Sequence, residues 1–213
     1  MLRRLRAPNP VDKLDRLPKA LMIDAIVEAH LGRPVTGMDL LDIGCGNGGI
    51  SRYFAGRENR VASVDVQDRR KGRAEPFLFK LVDSPVLPFD NGSFDIVLSH
   101  HVIEHLPDQS LHLQEIHRVL RPGGVCYMAT PNRTSPIMKG HIENDMVLRY
   151  LQMRPLFERH GFSVREYSTD VVTEPDRFHY PIRAGRIIPR LVANCLRPLF
   201  PSHMFVLDRQ TQA

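Results

Sequence analysis

The sequence predicts an α/β fold, a doubly wound sheet of seven mostly parallel strands, on three observations. Short apolar runs alternate with stretches of helical periodicity along the chain. The first of the central runs, Leu40-Leu41-Asp42-Ile43, breaks into Gly44-Cys45-Gly46-Asn47-Gly48-Gly49, a glycine turn that lets the backbone approach a ligand closely. Three consecutive strands carry acids at their ends, Asp42, Asp65 and Asp83, and ligands of open parallel sheets bind at the carboxyl ends of strands.

Taken in order, Lys19 to Leu31 follows Pro18 and sets Leu21, Met22, Ala25, Ile26 and Ala29 at helical spacing before Gly32 and Pro34 end it. After the glycines, Ile50 to Ala55 continues as the helix that crosses back over the sheet. Val61 to Asp65 is the second strand and Phe77 to Val82 the third. Asp90, Asn91 and Gly92 supply the break before the fourth strand, Phe94 to Ser99. A helix from Gln109 to Leu120, with Leu113, Ile116 and Leu120 on one face, is stopped by Arg121-Pro122-Gly123-Gly124. Val125 to Thr130 is the fifth strand, a helix runs from Asp145 to His160, and Phe162 to Val172 and His203 to Leu207 complete the sheet.

With 213 residues and 42% hydrophobic content, a single domain over 1–213 is expected. Cys45, Cys126 and Cys195 fall singly, without metal-type spacing, which fits a reducing compartment. No apolar run approaches the ~20 residues of a membrane span, and the N-terminus has arginines without a signal peptide's apolar segment, so a cytoplasmic location is expected. The formal charge of +5 is concentrated at the two ends. Arg3, Arg4 and Arg6 crowd the segment 1–18, and from Arg177 to Leu207 there are five arginines and no Asp or Glu.

Gly44, Gly46 and Gly49 satisfy G-x-G-x-x-G, so a dinucleotide site and an NAD-dependent oxidoreductase enter consideration. Asp42 weighs against them, because a carboxylate beside the turn repels a pyrophosphate. It favours a cationic ligand without phosphate, and S-adenosylmethionine (SAM), with its ammonium and sulfonium, is such a ligand. Asp65 lies about 20 residues past the glycines, where a ribose-binding acid is expected in a βαβ unit.

The run Leu40 to Gly48 resembles the first motif of the class I SAM-dependent methyltransferases, hydrophobic-hydrophobic-D-x-G-C-G-x-G. Three further segments are similar to the same family: Asp83 to Asp95 to its D-x-x-x-L-P-F-x-x-x-S-F-D, Val102-Ile103-Glu104-His105-Leu106 to its V-L-E-H-L, and Val119-Leu120-Arg121-Pro122-Gly123-Gly124 to the run before its fifth strand. The resemblance covers about residues 38 to 170. It implies SAM as cofactor, with contacts from Asp42, Gly44, Cys45, Gly46, Gly48, Asp65, Val66, Asp83, Ser84, Ser99 and His100, Asp83 lying beside the adenine amino group. It also implies that the last two strands form an edge hairpin, here interrupted by roughly 30 residues, far more than a hairpin loop.

Methyl transfer needs the acceptor aligned behind the methyl group, and a base where the acceptor is a poor nucleophile such as an alcohol. His101, just past the fourth strand, and His141, on the loop after the fifth, are the candidates, and packing or substrate contact is their alternative role. His101, Glu104 and His105 also fall at i, i+3 and i+4, a metal-ligand spacing on a helix. Some relatives, among them small-RNA 2′-O-methyltransferases and ubiquinone-pathway O-methyltransferases, hold a metal there with E-x-x-E-H. His101 replaces the first Glu of that pattern, and no metal is assigned.

The expected activity is O-methylation of a small-molecule, sugar or lipid-linked acceptor, by a monomer or homodimer. A nucleic-acid methyltransferase lacks support, since neither N-P-P-[YF] nor a Pro-Cys nucleophile motif is present. A catalytically silent SAM-fold subunit is the alternative from another class. The insertion 174–202 mixes Ile187, Ile188, Leu191, Val192, Leu196 and Leu199 with Arg183, Arg186, Arg190 and Arg197. Such a stretch suits an anionic membrane surface near the acceptor site, or else covers the sheet edge or a dimer contact.

Overall fold

Pro18 and Gly32 bound the first helix, α1 (Leu17–Leu31), which starts two residues earlier than expected because proline is tolerated in a first turn that needs no N–H. Gly32 ends it in the left-handed conformation, its N–H donating to the Glu28 carbonyl at 2.9 Å. This is a computed structural model, and it describes residues 16–70, 72, 74–136, 146–167, 199–200 and 202–210. Most of the insertion 174–202, the N-terminal arginines and His141 lie outside those residues.

The chain continues through β1 (Asp39–Ile43), α2 (Gly49–Ala55), β2 (Arg60–Asp65), β3 (Leu78–Leu81), β4 (Phe94–His100), α3 (Gln109–Val119), β5 (Leu120–Pro131), α4 (Tyr150–Arg159), β6 (Phe162–Glu166) and β7 (Ser202–Arg209). One seven-stranded sheet has the order β3-β2-β1-β4-β5-β7-β6, with β7 antiparallel to both its neighbours and every other pair parallel. The order reverses direction between β1 and β4, which opens a crevice at their carboxyl ends.

Alternation of side chains along the strands fills two cores, one on each face. Leu40, Ile96, Leu98, Val125 and Tyr127 pack with α1 and α2, through Ile23, Ile26 and Phe54. Leu41, Ile43, Val97, Cys126 and Met128 pack with α3 and α4, through Leu113, Ile116, Met153 and Phe157. At the amino edge of the sheet, away from the crevice, Arg121 bridges Asp39 and Asp95 at 2.8 Å each.

Several boundaries differ from the sequence reading, each for a local reason. β3 is shorter than Phe77 to Val82, because Phe77 leaves the strand to bury itself in the core beside α1 and α2. β5 is longer than Val125 to Thr130. The Arg121-Pro122-Gly123-Gly124 stretch ends α3 as expected but runs on into the strand, with a register shift against β4 between Phe94 and Ile96. α4 begins at Tyr150 rather than Asp145, since Arg149 before it is extended. β6 ends at Glu166, short of Val172, and residues 168–172 lie outside the described ones.

The edge hairpin is fastened at the crevice end by a buried pair, His203 Nδ1 to Glu166 Oε1 at 2.5 Å, and the Tyr150 hydroxyl donates to the other carboxylate oxygen at 3.0 Å. Among the described residues no helix is long and apolar enough to cross a membrane. α3 starts at a side-chain cap, Asp108 Oδ1 accepting from the Leu111 N–H at 2.8 Å. Asp108→Ala is expected to lower stability by about 1 kcal/mol in denaturant unfolding, the usual worth of such a cap.

Candidate active site

β1 delivers the turn Gly44–Gly48 to the crevice, and Gly44, Gly46 and Gly48 all have positive φ. Two of these positions are closed to other residues for different reasons. A Cβ on Gly44 would lie 2.6 Å from Val102 Cγ2, so the turn and the loop after β4 touch there. A Cβ on Gly46, φ +58, would meet nothing within 4 Å, so its bare backbone faces open space where a ligand can lie against it.

Two carboxylates hold the turn, and they differ sharply. Asp65, at the end of β2, accepts the Gly46 N–H on Oδ2 at 2.8 Å and the Gln67 N–H on Oδ1 at 3.0 Å. Each oxygen keeps a lone pair for a ribose diol. Asp42 is only 2% exposed and lies beneath the turn, not on the crevice wall. It accepts from Ser51 Oγ at 2.6 Å, and Ser63 Oγ donates to Ser51 at 2.9 Å. Burial pushes the Asp42 carboxyl up to about 7 against the Ser51 hydrogen bond, with the Asp65 charge adding to the rise. Its influence on a cation above is therefore through the field and through the turn it supports.

The other expected cofactor contacts divide by depth. Asp83 and Ser84 are exposed after β3, and Ser84 Oγ accepts from the Val86 N–H at 3.1 Å. The loop they open is clamped by α3. Arg118 donates to the carbonyls of Leu87 and Phe89 at 2.9 and 2.8 Å, and Glu115 Oε2 accepts the Leu87 N–H at 2.7 Å. The Val66 side chain points into solvent, 63% exposed. Cys45 is buried, and that burial raises its thiol well above the ordinary range, so it is not a nucleophile. The Ser99 side chain is fully buried and pairs with His112 Nε2 at 3.1 Å, which leaves its main chain for a ligand contact. Burial lowers His112 to about 4, so that pair is neutral.

His100 and His101 end β4 side by side, their ring centroids 4.6 Å apart at 89°. His100 stacks on the buried Tyr127 ring, with Nδ1 3.4 Å from the Tyr127 hydroxyl. Its Nε2 is buried and meets no hydrogen-bond partner. Desolvation, with His101, Lys19 and Arg16 nearby, holds this imidazole neutral, well below the ordinary histidine range.

His101 takes a left-handed φ of 57, uncommon for a residue with a side chain, and its N–H donates to the Ala129 carbonyl at 2.9 Å. Nδ1 lies 3.0 Å from Oε1 of Glu104, a residue only 4% exposed. The spacing His101-Glu104-His105 does not form one helix face, as the sequence suggested. His101 precedes a single 3₁₀ turn, Ile103–His105, so i and i+3 meet while His105 is exposed. Among the described residues no three of His, Cys, Asp and Glu converge as a metal would require. His141 is outside them.

Two contributors escaped the sequence reading: Tyr127, whose ring stacks on His100, and Arg16, just before α1, whose Cβ lies against Gly49. Glu104, noted in the sequence for its metal-ligand spacing, pairs with His101. The face of Tyr127 follows from alternation, two residues before Ala129 on a buried strand. Nothing local in the sequence says where α1 docks.

A left-handed glycine turn above a buried acid, with a second acid braced against it at the switch point of the sheet, defines a Rossmann-like site for an adenosyl ligand. Residues 41–128 match the family model described as a methyltransferase domain, so this stretch is similar to the class I SAM-dependent methyltransferases. It is 36% identical over 110 residues to a ubiquinone biosynthesis O-methyltransferase of Rhizobium rhizogenes, covering 48% of this chain and 44% of the relative. A probable S-adenosylmethionine-dependent methyltransferase of Mycolicibacterium smegmatis is 31% identical over 152 residues, 66% of this chain and 58% of the relative. The chain thus spans about half the length of the curated relatives it matches. A chain in the solved complex of the Haloferax volcanii Trm112 methyltransferase activator with a methyltransferase superposes with a TM-score of 0.60 at 23% identity, covering 95% of this chain and 97% of that one. That likeness is one of fold.

Asp42 also sets a pH dependence. Its folded value of about 7 lies above the ordinary 3.8, so between those values the folded chain keeps a proton that the unfolded chain releases. Stability from this group is complete below pH ~4, falls as pH rises and is lost above about 7. Relative to Asp42→Asn, the ligand-free wild type is expected to lose about 3 kcal/mol between pH 5 and pH 8, read from urea midpoints at the two values.

Proposed function

We propose that the chain binds SAM across the ends of β1, β2 and β3 and catalyses O-methylation of a small molecule lying over β4 and β5. The observation that carries the reading is the His101–Glu104 pair at the end of β4, beside the glycine turn that Val102 touches. The names of the relatives, an O-methyltransferase and a SAM-dependent methyltransferase, support the same chemistry.

The residues present fit the cofactor. The open side of Gly46 leaves room that a Cβ would take, Asp65 presents lone pairs to a ribose diol, and Asp83 and Ser84 stand at the adenine end. Gly44, Cys45, Gly48 and Val66 complete the wall through their main chains, and the main chain of Ser99 with His100 closes its methionine end. SAM, when bound, supplies a methyl group on a sulfonium.

His101 Nε2 would take the proton of an acceptor hydroxyl held over β4, making its oxygen nucleophilic towards the methyl group that SAM would supply when bound. Nδ1–H donates to Glu104, whose carboxylate fixes the ring and stabilises the imidazolium that forms. The left-handed φ turns this ring out of the strand's alternation and towards the mouth of the crevice. His141 keeps its place as a second candidate base on the loop after β5.

Two measurements test this. In calorimetry SAM and S-adenosylhomocysteine are expected to bind and NAD not to, with Asp65→Ala weakening binding by about 1.5 to 3 kcal/mol through loss of charge-assisted hydrogen bonds. With labelled SAM and a panel of hydroxylated aromatics, His101→Gln is expected to lose turnover by ~10²-fold or more while the affinity for S-adenosylhomocysteine is kept. Wild-type turnover in that variant would remove His101 as the base.

A further inference from the structure

Asp83 can read a base only where the loop it opens is held still. β3 stops at Leu81, and the next residue still touches the sheet, the Val82 N–H donating to the Asp65 carbonyl at 3.0 Å. The ends of β2 and β3 therefore lie side by side, and a ligand whose ribose rests on Asp65 carries its base towards Asp83. Asp83 itself is exposed, like Ser84 beside it.

The hold comes from α3, against which the loop packs. A guanidinium has five N–H groups, and in Arg118 all of them are engaged. Nη1 donates to the Phe89 carbonyl at 2.8 Å and to Asn91 Oδ1 at 2.9 Å, and Nη2 donates to the Leu87 carbonyl at 2.9 Å. The other two, on Nε and Nη2, go to the Glu115 carboxylate at 2.8 and 2.7 Å, and that carboxylate also takes the Leu87 N–H at 2.7 Å. The Arg118 carbonyl accepts the Gly92 N–H at 2.9 Å, and the Leu87 side chain is buried in one core with Leu113 of the same helix. Two carbonyls on one loop fit a planar fork, which a single ammonium cannot reproduce. With every donor committed, Arg118 has none for a ligand.

We infer that Arg118, oriented by Glu115, is a positioning residue for adenine recognition, acting through the loop and never touching the ligand. The inference rests on the cofactor placement proposed above. From Val82, held to β2, to Leu87, held to α3, the chain is fixed at both ends, and Ser84 Oγ tightens it by accepting the Val86 N–H at 3.1 Å. Asp83 lies inside this short span, so its carboxylate meets an exocyclic amino group at one place beyond the ribose. Release of the fork frees the Leu87 end, and the acid then takes up positions from which it no longer tells an amino group from a carbonyl oxygen. Binding of the ribose and of the methionine end is left as it was, because the Gly46 N–H and the Asp65 carboxylate are held by other bonds. Selectivity for the base is thus separable from affinity for the rest of the cofactor.

The test titrates the full chain, by calorimetry, with S-adenosylhomocysteine and with S-inosylhomocysteine, in which a carbonyl oxygen replaces the adenine amino group. The wild type is expected to prefer the first by about tenfold or more, the worth of one charge-assisted hydrogen bond. Arg118→Lys should cut that preference to about threefold or less by losing the fork, with the inosine ligand bound as in the wild type. Glu115→Gln combined with Arg118→Met keeps an acceptor for the Leu87 N–H and leaves no buried charge unpaired, and the same selective loss is expected there. Adding Arg118→Lys to Asp83→Ala should change the preference no further, since both act on one contact. A preference undiminished in either variant, an equal loss for both ligands in both variants, or additive effects in the Asp83→Ala background overturns the inference. Equal binding of the two ligands by the wild type overturns it too and leaves the methyl-transfer reading standing. Failure of the wild type to bind S-adenosylhomocysteine overturns both.

Discussion

The glycine turn after β1 hangs between two carboxylates, and the rest of the site depends on that suspension. Asp42 fixes it from below through Ser51 of α2 and Ser63 of β2, so one buried acid ties three consecutive elements together. Asp65 fixes it from the side by taking the Gly46 N–H. A buried carboxyl is costly to ionise, and its hydroxyl partner lessens that cost. The arrangement places a titrating group directly under a backbone meant for a cation, so proton and cofactor compete through the same turn.

From that turn the crevice divides into two electrostatic halves. The acids at the ends of β2 and β3 stand on one side, and the imidazoles of His100 and His101, at and just past the end of β4, on the other. The division follows from topology, because the strand order reverses between β1 and β4. Adjacent residues on a strand normally point to opposite faces, and His100 and His101 would do so but for the left-handed backbone of His101. That one conformational departure sets the His101 ring against both the His100 ring and the Glu104 carboxylate.

Much of this was legible in the sequence where the signal is local. The run Leu40–Gly49, the acids at 65 and 83 and the apolar strands around them pointed to the sheet and to the place of its crevice, because alternation and glycine turns are written in neighbouring residues. The readings that changed depend on contacts distant in sequence. Phe77 belongs to a strand by pattern but to the core by packing, and Ser99 looked available until His112 of α3 covered it. Glu104 and His105 looked like helix neighbours of His101, and a 3₁₀ turn keeps Glu104 against it while His105 is exposed. The docking of α1, which packs Ile23 and Ile26 into the core with Leu40 and Ile96, is a tertiary fact without a local signature.

Among the described residues the crossover from β2 to β3 carries no helix, and β3 closes its end of the sheet with both faces partly in water, Leu78 and Leu81 being 54% and 63% exposed. An open edge with apolar side chains ordinarily invites a strand from another molecule. Here the edge is four residues long and its third residue is Lys80, whose ammonium is held over the Phe89 ring and against the Pro88 carbonyl. A foreign strand finds too few ladder bonds to repay its ordering and must displace that contact to lie flat. Brevity and one tethered charge thus defend against aggregation the flank from which the Asp83–Ser84 loop departs.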